Sequence, residues 1–486
     1  MARHGALAGL LLTAALVAVS FLGWKAAGLP FAPFDIFDWI VRLLPGAVVT
    51  FAIESSVAIA RVLGVTNIGV AAKLGDQILA IALLLSVGVL AGAVLFTILS
   101  MSGEPALAFG GILGAMLGGL ALIAEQRLHR LPPGSILSGA WVFGTFVAWG
   151  IAFGWVYDKL STTDDAEDAE ARHFRRRFLM TLAGLTIVST VAGLVLTRLK
   201  RSVSGPRWSD DHALPNAAST VMPVPGTRAE FTPIEDFYRI DTNTRAPAID
   251  GDRWRLAATG LIDREQSLAL ADLRALEPMH LFATLSCISN PPGGDLISTT
   301  RWTGVSLQRL LPQLAPQPSA THLKITSADG FFEVIPLDAI RADERAMLAY
   351  AWDGVPLPAE HGFPLRLFVP DLYGMKQPKW ITGIDAIARW EPGYWVSRGW
   401  DREGRVVPSA AVDAVVRKDD NVQTGGIAYA GSRGVATVDV RVDEGEWQET
   451  QLRQPLSDVT WVVWRADLRL SPGPHKFTAR VVSSRS

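Results

Sequence analysis

Two stretches decide how the soluble part of this chain folds. The first is Ala283-Thr284-Leu285-Ser286-Cys287-Ile288-Ser289-Asn290, followed by Gly293-Gly294 and Arg301-Trp302-Thr303-Gly304-Val305-Ser306-Leu307. The second is His361-Gly362-Phe363-Pro364-Leu365-Arg366-Leu367-Phe368-Val369-Pro370, followed by Tyr373-Gly374-Met375-Lys376 and Lys379-Trp380. Residues 281–286 read as a strand, and Cys287 stands at its end. It is the chain's 1 cysteine, so no internal disulfide and no multi-cysteine zinc or iron–sulfur site can form. A lone cysteine usually behaves as a small buried hydrophobe. Its functional alternatives are a metal ligand or a nucleophile activated by a histidine such as His361. The nucleophile needs an orienting third group and an oxyanion site, and no such signature is present.

Outward from these stretches, residues 254–260 form another strand candidate. Residues 268–276 place apolar side chains three to four apart, as a short helix does. Residues 231–395 therefore read as a mixed α+β domain. Beyond it, apolar alternation takes over in Val435–Val442, 461–464 and 476–482, with Pro472-Gly473-Pro474 as a turn, so residues 396–486 read as an immunoglobulin-like β-sandwich. Asp329 beside Gly330 fits a turn better than a pocket wall. Residues 201–230, rich in Ser, Pro, Ala and Thr without periodicity, read as a linker.

The N-terminal part differs in kind. Stretches 6–24, 43–60, 77–100, 107–124, 136–156 and 178–197 approach the roughly 20 apolar residues that cross a bilayer as a helix. Residues 1–200 thus read as an all-α transmembrane bundle of about six spans. The weakest is 43–60, which Pro45 and Glu54 interrupt and Arg42 and Arg61 close; a re-entrant or interfacial segment is the other reading. Glu54, an acid inside a span, is a functional candidate by default, set against an ordinary bundle-interior carboxylate. None of the 8 histidines falls within a span, so no haem is expected in this chain. Electrons would then pass through a separate cytochrome or quinone-linked partner.

With 45 basic and 47 acidic residues, charge offers nothing that points to nucleic acid. One local run matters more. His173-Phe174-Arg175-Arg176-Arg177-Phe178-Leu179 is close to a twin-arginine export signal, or is a basic anchor at a cytoplasmic helix end. Both readings put the soluble domain on the extracytoplasmic side of the cell membrane. The loop holding Arg127 and Arg130 opposes this orientation by the same charge rule.

The stretches quoted at the outset, in that order and separation, resemble the sulfite oxidase family of molybdopterin enzymes from about residue 231 to the C-terminus. The chain then reads as multi-domain: the transmembrane bundle given by its apolar stretches, followed by the α+β molybdopterin domain and immunoglobulin-like sandwich that the resemblance implies. The resemblance also implies one molybdopterin, with Cys287 as the molybdenum ligand; a soft thiolate suits such a metal. His361 and Arg366 fall where the family contacts the pterin and phosphate. Gln377 and Lys379 form the second side of that cradle, with Lys376 as a further cation. Glu235-Asp236-Phe237-Tyr238-Arg239-Ile240 matches the first cofactor-contacting stretch, with Tyr238 and Arg239 as candidates. Arg239 leans toward an anionic substrate and a catalytic role. The implied activity is two-electron oxygen-atom transfer on a small substrate, sulfite-like or sulfoxide-like. The rival reading is a membrane transporter or sensor whose soluble domain binds a ligand, in which Glu54 and the break near Pro45 would matter most.

Overall fold

The computed structural model describes residues 1–62, 68–128, 136–161, 169–199, 205–418 and 421–485. The chain divides into two compact units. One comprises Met1–Ala52, Ala71–Ser202 and Thr242–Arg245; the other comprises Ile53–Val70, Val203–Asp241 and Ala246–Ser486.

The first unit is helical: α1 (Ala2–Ala27), α2 (Ala32–Leu43), the start of α3 (Gly46–Val62), most of α4 (Ile68–Ser102), α5 (Ala106–Arg127), α6 (Ile136–Ser161) and α7 (Ala169–Leu199). Glycine lets their backbones meet. A Cβ at Gly5 or Gly92 would collide with the other's carbonyl, Gly9 and Gly88 approach in the same way, and Gly110 meets Gly150 between α5 and α6. Small residues at helix crossings are the usual device where apolar surface outside the bundle gives no drive for association. Gly28, at φ 67°, closes α1: its N–H donates to the Trp24 carbonyl and the Leu29 N–H to that of Gly23.

Five helices of the described residues are long and apolar enough to cross a membrane: Ala2–Ala27, Ala72–Ser102, Ala106–Arg127, Ile136–Ser161 and Met180–Thr197. The expected stretch 43–60 falls on α3, which is described over Gly46–Val62. The side chains of Glu54, Arg175 and Arg176, and all of Arg130, lie outside the described residues.

At one end of this unit a polar notch holds the Thr242–Arg245 segment. Asp38 accepts the Thr244 N–H at 3.0 Å, Arg245 reaches Asp35 at 2.7 Å, and Lys73 donates to the Asn243 carbonyl at 2.9 Å. Asp35 and Asp38 are buried, so each charge relies on these partners.

The second unit carries the α+β region expected from sequence. One sheet orders β2-β1-β10-β5-β6, from β1 (Arg255–Gly260), β2 (Gln266–Ala269), β5 (His322–Ser327), β6 (Phe332–Pro336) and β10 (Ile381–Ile387). The other orders β3-β4-β7-β8, from β3 (Met279–Ser286), β4 (Ile297–Ser306), β7 (Met347–Trp352) and β8 (Val355–Pro356), with β9 (Arg366–Phe368) also paired to β7. Short helices α8 (Trp208–Asp211), α9 (Leu270–Ala275), α10 (Leu307–Leu314) and α11 (Leu337–Ala342) join or flank them. Leu273, Leu307, Leu310, Leu314 and Leu337 close one core against Leu256, Leu323 and Ile325.

The C-terminal region is all β. Strands β11 (Ser409–Lys418), β12 (Asn421–Tyr429), β16 (Val462–Arg469) and β15 (Gln451–Leu452) make one sheet, in the order β11-β12-β16-β15. Strands β13 (Val435–Val442), β14 (Gln448–Glu449) and β17 (Phe477–Ser483) make another.

The stretch read as a linker departs from that expectation over residues 205–230, which lie on this unit. Buried Arg453 pairs with Glu230 at 2.9 Å and donates to the Val221 carbonyl at 2.8 Å. Arg228 pairs with Asp413 at 2.6 Å and donates to the Gly294 carbonyl at 2.9 Å. Composition resembles a free spacer, but Arg228 and Glu230 find partners far along the chain.

Candidate functional site

Cys287 follows β3 directly and is buried. Its N–H donates to the Leu296 carbonyl at 2.9 Å and its carbonyl accepts from Asn290 at 3.0 Å, which closes the intervening loop at its base. Asn290 Oδ1 takes the Leu296 N–H at 2.9 Å. Burial pushes the thiol pKa up, and hydrogen bonds from Ser289 and Ile288 partly oppose this.

Tyr238 is buried with its N–H on Ser298 Oγ at 3.1 Å. Its phenol is held well above its ordinary range, by burial first and then by the neighbouring Cys287. Tyr238 and Cys287 belong to one buried cluster with Phe237, Trp302 and Trp352, although they are far apart in sequence.

Arg239 donates to Asp241 at 2.9 Å, and Lys379 reaches the same carboxylate at 3.2 Å. Burial lowers the Lys379 pKa to about 8, while Asp241 acts in the opposite direction. Arg366 is buried above the Trp302 ring at 4.9 Å and donates to the His361 carbonyl at 3.1 Å. Among the described residues it has no carboxylate partner, and its Nε has no hydrogen-bond partner. Burial brings its pKa down to about 10.

His361 packs against Trp352 and Phe237, with ring centroids 4.5 and 5.6 Å away. Burial, then the Lys379, Arg366 and Arg239 charges, hold it well below the usual histidine range, so the ring is neutral at pH 7. Gly362, at φ 113°, lets this corner close: a Cβ there would sit 3.0 Å from Arg366 Cβ and 3.2 Å from Lys379 Cβ.

Tyr238, Arg239, Cys287, His361, Arg366 and Lys379 therefore belong to one electrostatically linked neighbourhood. The other two residues expected as cofactor contacts are committed elsewhere. Lys376 forms a buried ion pair with Glu333, and the Gln377 side chain donates to the Val369 and Leu372 carbonyls at 3.2 and 2.7 Å. A lysine beside a glycine turn reads as a free cation in sequence; its partner lies on β6 and is not visible locally. Asp329 is a turn residue, accepting the Phe331 N–H at 3.1 Å. The sequence reading missed Glu333 and Asp241. Asp241 stands two residues from Arg239, and this spacing was its one available signal.

Three cations stand here against one carboxylate and a neutral imidazole, an arrangement made for an anion. A molybdopterin fits it. The unpartnered Arg366 Nε and the Lys379 ammonium suit its phosphate, His361 and nearby backbone suit the pterin, and Cys287 suits the metal. Among the described residues no three His, Cys, Asp or Glu side chains gather to hold a metal by themselves. The remaining ligands would come from the pterin.

Residues 243–395 match the family described as "Oxidoreductase molybdopterin binding domain". The chain is 31% identical over 155 residues to "Uncharacterized oxidoreductase YuiH" of Bacillus subtilis, covering 32% of this chain and 76% of that protein. This chain belongs to the sulfite oxidase family of molybdopterin-dependent oxidoreductases. Within that family it is similar to mitochondrial sulfite oxidase of Drosophila melanogaster, 28% identical over 347 residues, or 58% of this chain and 60% of that one. The chain spans 53% of the rat enzyme. It is also similar to "Putative protein-methionine-sulfoxide reductase subunit YedZ1" of Azospira oryzae, 27% identical over 240 residues, 47% of this chain and 86% of that protein. A solved structure of the sulfane dehydrogenase SoxCD from Paracoccus pantotrophus aligns over 59% of this chain and 80% of that one, with 20% identity and a TM-score of 0.48.

The pocket of this sulfite oxidase family member has a definite pH signature. Lys379 titrates near 8 when folded and near 10.5 otherwise, so between these values the unfolded chain binds more protons and stability rises with pH. An anion beside Lys379 favours its charged form, so anion binding weakens as pH climbs past 8. We expect the cofactor-free protein to gain Tm between pH 8 and 10 relative to Lys379→Met. Parallel pH–Tm curves for the two proteins would contradict this.

Proposed function

We propose that this chain is a membrane-anchored molybdenum oxidoreductase that catalyses X + H2O ⇌ XO + 2 H+ + 2 e− on a small sulfite-like or sulfoxide-like substrate. The observation that carries this reading is the cation cluster of Arg239, Lys379 and Arg366 in the neighbourhood of Tyr238 and Cys287, with Arg366 buried and without a carboxylate partner among the described residues. A bound molybdopterin supplies the metal that exchanges oxygen and electrons with the substrate.

The chain's own residues hold and orient. Cys287 would hold the metal through its thiolate, so its thiol would have to give up its proton on binding. Arg366 and Lys379 bind the phosphate end, and neutral His361 offers the pterin a hydrogen bond without adding repulsion. Arg239, aligned by Asp241, presents its guanidinium edge to an anionic substrate. Tyr238, neutral at working pH, can donate its hydroxyl proton beside Cys287. The aromatic wall of Trp302, Trp352 and Phe237 keeps water from this corner.

The five described helices long and apolar enough to cross a membrane support a multi-pass anchor. With those five as the crossings, four separate α2 from the Thr242–Arg245 segment, which puts both on one side. The bonds from Thr242–Arg245 to Asp35, Asp38 and Lys73 are consistent with this parity. Arg177, on the opposite side, marks the cytoplasm by the positive-inside rule, so the catalytic unit is extracytoplasmic. Electrons pass to a separate cytochrome or quinone-linked partner. The two C-terminal sheets are read as an immunoglobulin-like sandwich.

The test is metal and pterin analysis of purified full-length protein. We expect about one molybdenum and one pterin per chain, in line with the single thiolate and single cation cluster. Protein made with molybdenum and pterin supply intact, yet lacking both, would rule the reading out.

A further inference from the structure

We propose that Glu333 and Lys376 form a positioning pair that sets the 374–379 turn against the cofactor pocket, and that Lys376 itself offers no charge to a bound anion. This rests on the molybdopterin reading of the site and names how one wall of that site is built.

The turn touches the pocket at both ends. At one end, a Cβ on Gly374 would lie 3.2 Å from the Tyr238 hydroxyl and 3.6 Å from the Ser286 carbonyl, immediately before Cys287. At the other end Lys379 reaches Asp241 at 3.2 Å. Between them the backbone turns tightly: Lys376 N–H donates to the Tyr373 carbonyl at 2.9 Å and Gln377 N–H to that of Gly374 at 3.1 Å. Lys376 occupies the middle of this turn and is 3% exposed, and its partner Glu333 on β6 is 0% exposed.

Two glycines make room for the pair. A Cβ at Gly404 would stand 2.6 Å from Lys376 Cγ, and one at Gly393 would collide with the Glu333 carboxylate. Gly404 also accepts the Tyr373 N–H at its carbonyl, 2.8 Å away, so the strand of chain that shelters the pair also pins the start of the turn. Each charge is too buried to survive alone. Removing one leaves the other to lose its charge or leave the interior, and either outcome shifts the turn. Removing both in favour of apolar side chains of similar volume keeps the packing.

The pair thereby settles which cations face a ligand. Lys376 is neutralised by Glu333, which leaves Arg239, Arg366 and Lys379. A direct phosphate or substrate contact from Lys376 predicts a different mutational pattern, and the two are separable.

The experiment uses full-length protein in detergent: wild type, Glu333→Gln, Lys376→Met and the double variant E333L/K376M. Each is assayed for pterin and molybdenum per chain, for Tm, and for the electron paramagnetic resonance spectrum of the partly reduced metal. For each single variant we expect cofactor retention to fall about 10- to 100-fold, the range for residues that orient a metal site from behind. Whatever metal remains should show an altered spectrum. The double variant should recover retention to within about threefold of wild type, with the wild-type spectrum, as expected when two coupled charges leave together. Two results would overturn the proposal: a double variant as poorly loaded as Lys376→Met, which makes Lys376 a direct contact, or single variants that load normally. If a single variant does not fold, the double variant decides alone. Wild type without molybdenum or pterin would refute the cofactor reading itself, whereas loaded wild type beside an unloaded double variant refutes only the pair.

Discussion

Replacing Cys287 with Ser lowers turnover at least about a thousandfold, equivalent to about 4 kcal/mol of transition-state stabilisation, while the pterin stays largely bound. The two halves of this expectation have different physical sources. A serine hydroxyl is a hard, neutral donor and does not replace a soft thiolate on a metal that changes oxidation state. On the proposed reading the pterin and its phosphate would be held elsewhere, by Arg366, Lys379 and His361. The backbone around position 287 is anchored by main-chain bonds to Leu296 and Asn290, which serine leaves intact. The check is kcat together with pterin per chain. Surviving activity would remove Cys287 from the metal.

Arg366→Met should separate stability from binding. In the cofactor-free protein Arg366 is a buried cation without a carboxylate partner, and its pKa is brought down to about 10 because the interior disfavours the charge. Methionine matches much of its volume and lies comfortably on Trp302, so the cofactor-free variant should melt no lower than wild type and could gain a few degrees. Binding responds in the opposite sense. Loss of a buried charged contact costs about 2–5 kcal/mol, so pterin affinity should fall at least about 30-fold. Thermal melts of cofactor-free protein and pterin retention after gel filtration give the two readings. A variant that is less stable yet still loaded would make Arg366 a structural residue.

The site was partly legible because its main signals are local. Cys287 ends a strand with no other cysteine in the chain, and His361, Arg366 and Lys379 stand in one short stretch whose residue types announce an anion site. Lys376 and Gln377 looked equivalent to these neighbours and are not. Their side chains are claimed by Glu333 and by the Val369 and Leu372 carbonyls, contacts that depend on how β6 and the turn meet. Asp241 was equally silent, because its role comes from receiving two cations, one of them 138 residues away.

The membrane region shows the same division. Apolar run length was enough to find the five described helices that are long and apolar enough to cross a membrane. The stretch 201–230 was less legible, since a spacer-like composition conceals Arg228 and its clamp on Asp413.

Resemblance along the two quoted stretches was enough for the family, and run length and short spacing for many strands and apolar helices, because these are dictated by neighbours along the chain. Which cations face the pocket was decided only by the tertiary structure. A charge is free or neutralised according to what lies within about 4 Å of it, and in a folded chain that neighbour is rarely adjacent in sequence.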